Sequence, residues 1–239
     1  MINAGRIWVT VLCMLSISFA QAQKEQADAD IISYTADTQT GHVRLYWKND
    51  TGSIVGSLSH LKTYVESKKL HLIAAMNGGM YKADHSPQGL FIQEGKVVSP
   101  ADTMKGQGNF YMQPNGIFFI TTQGKAGICK TPLFAYKDVA YATQSGPMLI
   151  SGGVINSAFT PGSKNINIRN GVGILPDGKI VLAISSDKIN FYDFAMYFKK
   201  LGCTNALYLD GFVSRMYLPQ SGIEQPDGDF GVIIGVTDK

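Results

Sequence analysis

The sequence predicts an α+β fold, with mainly antiparallel β-sheets and a few packed helices in a single domain. Three observations lead there. Short apolar or alternating runs recur at close spacing along the chain. Glycine marks most of the turns between them. Only two stretches carry apolar residues at helical spacing. With 239 residues, 45% of them hydrophobic and 16% charged, the chain can bury a core of good size, which argues against general disorder. The formal charge is +3 and the lysines are scattered, so there is no electrostatic footprint for nucleic acid.

Residues 1–22 stand apart. Arg6 provides a positive start, Ile7 to Ala20 form an uncharged apolar run, and Ala20-Gln21-Ala22 offers a small-x-small cleavage site. This is the layout of a secretory signal peptide cut after Ala22. The run is short for a membrane span. Cys13 follows Leu12, where a lipoprotein cysteine needs a small residue, so lipidation is not expected. No second span follows. The expected product is an exported domain over residues 23–239, periplasmic or secreted, with no membrane span after cleavage. It retains Cys129 and Cys203, which read equally as a disulfide and as two small buried hydrophobes.

In chain order, residues 23–30 are polar and read as a loose leader. Ile31 to Ala36 and His42 to Trp47 are expected strands; the second alternates Val43, Leu45 and Trp47 with polar positions, and Thr40-Gly41 would join the two as a hairpin. Leu58, Leu61 and Val65 predict a helix over 58–69, capped by Ser57 or Ser59. His71 to Met76 is an apolar strand. Gly89 to Gln93 and Lys96 to Ser99 flank the Glu94-Gly95 turn, and Asn115-Gly116 opens a strand over Ile117 to Thr121. Tyr141 to Gln144 leads into Ser145-Gly146-Pro147 and the strand Met148 to Ile150. Val172 to Leu175 and Lys179 to Ile184 form a hairpin around Pro176-Asp177-Gly178, with Asn170-Gly171 as a turn before it. Asn190 and Asp193 have capping-box spacing, and Phe191, Phe194, Phe198 and Leu201 then mark one helical face, closed by Gly202. That aromatic stripe reads as core packing. Ala206 to Leu209 and Phe230 to Val236 are the last strands.

Two stretches carry candidate chemistry. Asp210-Gly211 ends a buried strand, with Ser214 and Arg215 close behind, so a carboxylate, a hydroxyl and a guanidinium share one short loop. Taken alone, Asp-Gly is also an ordinary turn. Asn77-Gly78-Gly79 follows another buried strand. It reads either as a hairpin turn or as an anion-binding concavity of backbone N–H groups. No metal motif is visible, Asp227 and Asp229 around Gly228 reading as a turn, and no cofactor is expected. Ser145-Gly146-Pro147 lacks the glycine pattern of a nucleophile elbow, which argues against an esterase or peptidase.

The ordered set Asn77-Gly78-Gly79-Met80-Tyr81, Gly89-Leu90-Phe91, Gly95-Lys96-Val97-Val98-Ser99, Asn115-Gly116, Ser145-Gly146-Pro147, Arg169 with Gly171, Asp187, and Asn205 to Gly211 resembles the phosphodiester glycosidase domain over about residues 70–236. The family includes the uncovering enzyme, which removes N-acetylglucosamine from a sugar phosphodiester. The resemblance implies cleavage of a sugar C1–O bond whose leaving group is a phosphate ester. It implies Asp210 as nucleophile or base, Asp187 as its carboxylate partner, and Arg169 as the phosphate clamp, with Arg215 second. Asn77, Gly78, Gly79, Ser145, Gly146, Gly211 and Ser214 would then bind substrate. One departure stands out: the family continues Asp-Gly with two further glycines, where this chain has Phe212 and Val213. The expectation is thus an exported glycosidase acting on a sugar phosphodiester or a related envelope glycan, and a non-catalytic module that binds such a glycan in the same cleft is the competing one.

Overall fold

The computed structural model describes residues 30–238. The expected signal peptide lies outside the described residues. Among those described, no helix is long and apolar enough to cross a membrane.

The strands, in chain order, are β1 (Ile31–Ala36), β2 (His42–Tyr46), β3 (Leu72–Asn77), β4 (Phe91–Gln93), β5 (Lys96–Ser99), β6 (Gly116–Thr121), β7 (Ala126–Lys130) and β8 (Val139–Ser145). There follow β9 (Met148–Ser151), β10 (Val154–Ile155), β11 (Asn170–Ile174), β12 (Ile180–Ser185), β13 (Asn205–Tyr208), β14 (Met216–Leu218), β15 (Ile223–Glu224) and β16 (Ile233–Thr237). Helices α1 (Leu58–Ser67) and α2 (Phe191–Lys200) complete the domain. Both expected caps form. Ser57 Oγ accepts from the His60 N–H at 3.2 Å, and Asn190 Oδ1 accepts from the Asp193 N–H at 2.9 Å. The reciprocal bond of the second cap comes from the Asn190 side-chain amide to Asp193 Oδ2, not from the backbone.

The strands make three antiparallel sheets, in the orders β1-β12-β11-β13-β9-β10, β15-β14-β3-β16-β2 and β5-β4-β8-β6-β7. The expected β1–β2 hairpin does not form. β1 pairs with β12 in the first sheet, and β2 pairs with β16 in the second. All three sheets turn one face to a shared core. Leu182, Ile184, Val172 and Leu207 come from the first, Met76, Ile234 and Leu45 from the second, and Phe118, Ile128 and Phe91 from the third.

The pleat sends alternate residues to opposite faces. On β12, Val181 and Ala183 therefore pack outward against Phe194 and Phe198 of α2, as Ala206 and Tyr208 do on β13. Gly173 leaves room for this stripe; a Cβ there would sit 2.6 Å from the Phe198 ring. α1 covers the second sheet in the same way, through Leu58, Leu61 and Val65 against Ala75 and Ile233. Cys129 and Cys203 are free thiols. Burial raises both, Cys203 to about 11, which keeps them protonated and inert near neutral pH.

Candidate active site

The ends of β3, β8 and β13 and the start of β11 meet at one junction of the three sheets. Asn77, the last residue of β3, is buried, and every polar atom of its side chain is committed. Its Nδ2 donates to the Asp210 carbonyl at 2.8 Å. Its Oδ1 accepts from the Arg215 N–H and from Asn170 Nδ2, each at 3.0 Å. Asn170 Nδ2 also lies 2.9 Å from the Asn77 carbonyl. Ser145, at the end of β8, donates from Oγ to the Leu209 carbonyl at 3.2 Å. The Asp210 loop is thus tied to all three sheets.

The loop itself is a short 3₁₀ turn over Gly211–Val213, capped by Asp210, whose Oδ1 accepts from the Phe212 N–H at 3.4 Å. Ser214 Oγ closes the loop onto the Asp210 carbonyl at 3.4 Å. Partial burial raises the Asp210 pKa from its ordinary value, and the Phe212 N–H opposes the shift. Tyr81 lies close enough for the Asp210 charge to help hold its phenol up at about 12, after burial as the larger cause.

Arg169 sits one residue before Asn170, so the pleat turns it away from the junction and toward α2. It is 1% exposed. Its Nε donates to the Ile189 carbonyl at 2.8 Å, and its Nη2 to the Asn165 carbonyl at 2.8 Å and Asn165 Oδ1 at 3.2 Å. The guanidinium carbon lies 3.5 Å from the Phe191 ring centroid and 5.6 Å from that of Tyr208. The fork expected to clamp phosphate is therefore spent inside the protein. Burial lowers its pKa, and Tyr208 counteracts this. Tyr208 Oη accepts from the Gly211 N–H at 2.8 Å, so Arg169 reaches the Asp210 loop through that ring. Arg215 is different. Its Nε meets both oxygens of Asp227 at 2.9 and 3.0 Å, and Nη1 donates to the Ser214 carbonyl at 3.0 Å. Its Nη2 has no partner among the described residues, and the side chain is 40% exposed.

Asp187 does not join the junction. It is exposed in the turn after β12 and has no hydrogen-bond or ion-pair partner among the described residues. β11 lies between β12 and β13, so the strand ends that carry Asp187 and Asp210 stand two strand spacings apart, roughly 10 Å.

The glycines of the site serve close packing. Gly78 and Gly79 do not turn β3 into a hairpin. The chain runs on past β3, and the Gly78 N–H is taken by the Val232 carbonyl at 2.7 Å. A Cβ on Gly79 would overlap Thr143 Oγ1 and lie 2.7 Å from the Gln144 carbonyl. A Cβ on Gly146 would lie 2.7 Å from the Phe110 carbonyl; one on Gly211 would overlap Tyr208 Oη and lie 2.8 Å from the Ile168 carbonyl. Gly79→Ala is therefore expected to destabilise the protein by about 2 kcal/mol, because the obstruction includes backbone that cannot swing aside. Urea unfolding measures it, and a midpoint equal to that of the parent would contradict the packing argument. Among the described residues no cluster of His, Cys, Asp and Glu is built to hold a metal. Asp227 is bound to Arg215 and Asp229 to His85.

The profile of the phosphodiester glycosidase family matches residues 71–236. The chain belongs to this family. The uncharacterized protein YigE of Escherichia coli (strain K12) is 35% identical over 242 residues, covering 100% of this chain and 94% of that one. The catalytic domain of zebrafish N-acetylglucosamine-1-phosphodiester alpha-N-acetylglucosaminidase, auto-inhibited by its pro-peptide, superposes with a TM-score of 0.62 at 15% identity. It covers 90% of this chain and 85% of that one. A putative exported protein of Burkholderia pseudomallei gives 0.57 at 12% identity, covering 86% and 73%. These two structural likenesses are likenesses of fold.

Three residues of this junction escaped the reading of the sequence as site residues. Asn170 looked like half of an Asn-Gly turn, Tyr208 like a core strand residue, and Tyr81 like the end of a glycine turn. The pleat held one usable signal. Counting alternate residues inward from Val172 places Asn170 on the side of the shared core and Arg169 on the side of the helix.

Proposed function

We propose that this phosphodiester glycosidase family member is an exported hydrolase that cleaves the C1–O bond of a sugar phosphodiester, with Asp210 as the reacting carboxylate. The observation that carries the reading is the placement of Asp210. It is a half-buried carboxyl on a loop that continues from β13 and is fastened to the other two sheets through Asn77 and Ser145, with Ser214 closing the loop. Such rigidity preorganises a reacting group, and a raised pKa makes it a stronger base. Asp210 either attacks C1 itself or takes a proton from the water that does; the anomeric configuration of the product distinguishes the two. The C1–O electron pair leaves on the phosphate oxygen. A phosphate monoester is a stable anion, so this departure needs no strong acid, and an exposed Asp187 two strands away is dispensable as one.

The phosphate needs a cation that it can reach. Arg169 is enclosed, whereas Arg215 keeps Nη2 unpaired beside the loop, so the clamp falls to Arg215, with Arg169 holding Tyr208 and the loop in place. Arg215→Gln is expected to lower kcat/KM on N-acetylglucosaminyl methyl phosphodiester by about 30-fold or more, and on an uncharged aryl glycoside that the enzyme accepts by less than about 3-fold. Equal losses on the two substrates would reject the clamp. Glycan binding without release of sugar from either substrate would replace the hydrolase by a binding module. Mass spectrometry of exported protein that still carried Arg6 to Ala20 would reject a mature chain starting near Gln23.

A further inference from the structure

Phe212 is 96% exposed, the most exposed large apolar side chain among the described residues; the next, Leu133, is 73% exposed. Its position is not a consequence of a loose loop. On one side, its own N–H is bonded to Asp210 Oδ1, and the Gly211 N–H to Tyr208 Oη. On the other, Val213 packs against the cluster of Leu58, Tyr217 and Phe230, and the Arg215 N–H is bonded to Asn77. A turn anchored at both ends thus holds a bare aromatic ring in water, on the very residue that hydrogen-bonds the candidate reacting carboxylate.

We infer that Phe212 is a specificity-determining residue, a platform on which the pyranose ring of the substrate rests while its C1 faces Asp210. The inference rests on Asp210 marking the substrate site. The chemistry selects the occupant. The face of an aromatic ring is electron-rich and apolar, so it repels a phosphate and attracts polarised C–H groups. A pyranose offers such groups on one face and hydroxyls around its edge. Sugar stacked on Phe212 and phosphate directed to Arg215 use two different surfaces of one loop, with the scissile bond between them. An aromatic side chain with two rotatable bonds gives up little conformational freedom on contact, which favours a standing platform over a flexible aliphatic one.

The test uses the full exported chain in two arms. In the first, kinetics on N-acetylglucosaminyl methyl phosphodiester compare F212A and F212W. F212A is expected to raise KM about tenfold with kcat within about threefold of the parent, and F212W to restore KM. Because Phe212 is nearly free of protein contacts, both variants should fold, which circular dichroism verifies. In the second arm, binding of the same diester and of methyl N-acetylglucosaminide to Asp210→Asn and to D210N/F212A is measured by titration calorimetry. Loss of binding to both ligands only in the double variant supports the platform, even if the protein turns nothing over. That second arm separates failure of the hydrolase reading from failure of this one. Unchanged KM in F212A, or equal binding by the two Asp210 variants, would overturn the proposal. So would Phe212-dependent sedimentation with phosphatidylglycerol vesicles in the absence of any saccharide binding, which would make the ring a membrane contact.

Discussion

Asp210→Asn is expected to lower kcat by a factor of about 100 or more while raising the thermal stability of the protein at neutral pH. The two effects have one cause. The carboxyl of Asp210 is partly desolvated, and among the described residues one backbone N–H supports its charge. Its pKa in the folded protein therefore lies above that in the unfolded chain. In the window between the two values the native state holds a proton that the unfolded state has released. Stability from this group is accordingly complete below the ordinary carboxylate range and is lost as pH rises through the folded pKa. Above it, the ionised carboxylate burdens the fold. Asparagine preserves the size and the Oδ1 acceptor for the Phe212 N–H but carries no charge, so it removes that burden along with the reactivity. Melting temperatures across pH 3–8 should show the parent losing stability relative to the variant as pH rises. The parent's rate should also have an acidic limb displaced upward from the range of a free carboxylate. Asp187→Asn, which changes an exposed side chain with no partner among the described residues, is expected to keep kcat within about tenfold of the parent. A folded Asp210→Asn variant with undiminished turnover would remove Asp210 from the reaction. A melting difference that does not vary with pH would remove the desolvation account.

How far the fold could be read in advance follows from the range of each signal. Local signals were legible. The Asn190–Asp193 spacing forms its cap, the Phe191, Phe194, Phe198 stripe packs on the sheet, and Asp210 follows a buried strand two residues past its end. Partnership between distant strands was not legible. The alternation in β2 announces a half-buried strand, but its partner is β16 near the end of the chain, not the β1 segment that precedes it. Glycine was the other source of error. Gly78, Gly79 and Gly171 lie next to asparagine or to each other and resemble turns. Each instead lets another segment approach closely; at Gly171 a Cβ would lie 3.0 Å from the Leu207 carbonyl. Composition cannot distinguish a glycine that bends the chain from one that admits a neighbour.

Arg169 shows the same limit at a single residue, and its substitution should cost the most stability. Arg169→Met is expected to destabilise the protein by about 3 kcal/mol or more, a fall in melting temperature of roughly 6–12 °C. The guanidinium serves the carbonyls of Asn165 and Ile189, which lie on two segments joined by one isolated bridge, Asn167 with Ile189. Methionine fills most of the volume but offers no donor, so the Asn165 carbonyl loses its partner, the Ile189 carbonyl keeps only the Asn167 N–H, and the contact with the Phe191 face loses its charge. Lysine keeps the charge, but one ammonium cannot reproduce the planar fork that reaches both carbonyls while lying flat on the ring; Arg169→Lys should therefore recover little of the loss. Tyr208 then connects stability to chemistry. Without the guanidinium beside it, the phenol that receives the Gly211 N–H is less firmly placed, and the Asp210 loop should exchange its amide hydrogens faster. Measured well below the lowered melting temperature, kcat should fall for phosphodiester and aryl glycoside alike, because the damage reaches the reacting carboxylate and not the phosphate. A phosphodiester-specific loss with unchanged melting would return the clamp to Arg169 and require its side chain to swing out from under Phe191 when substrate binds.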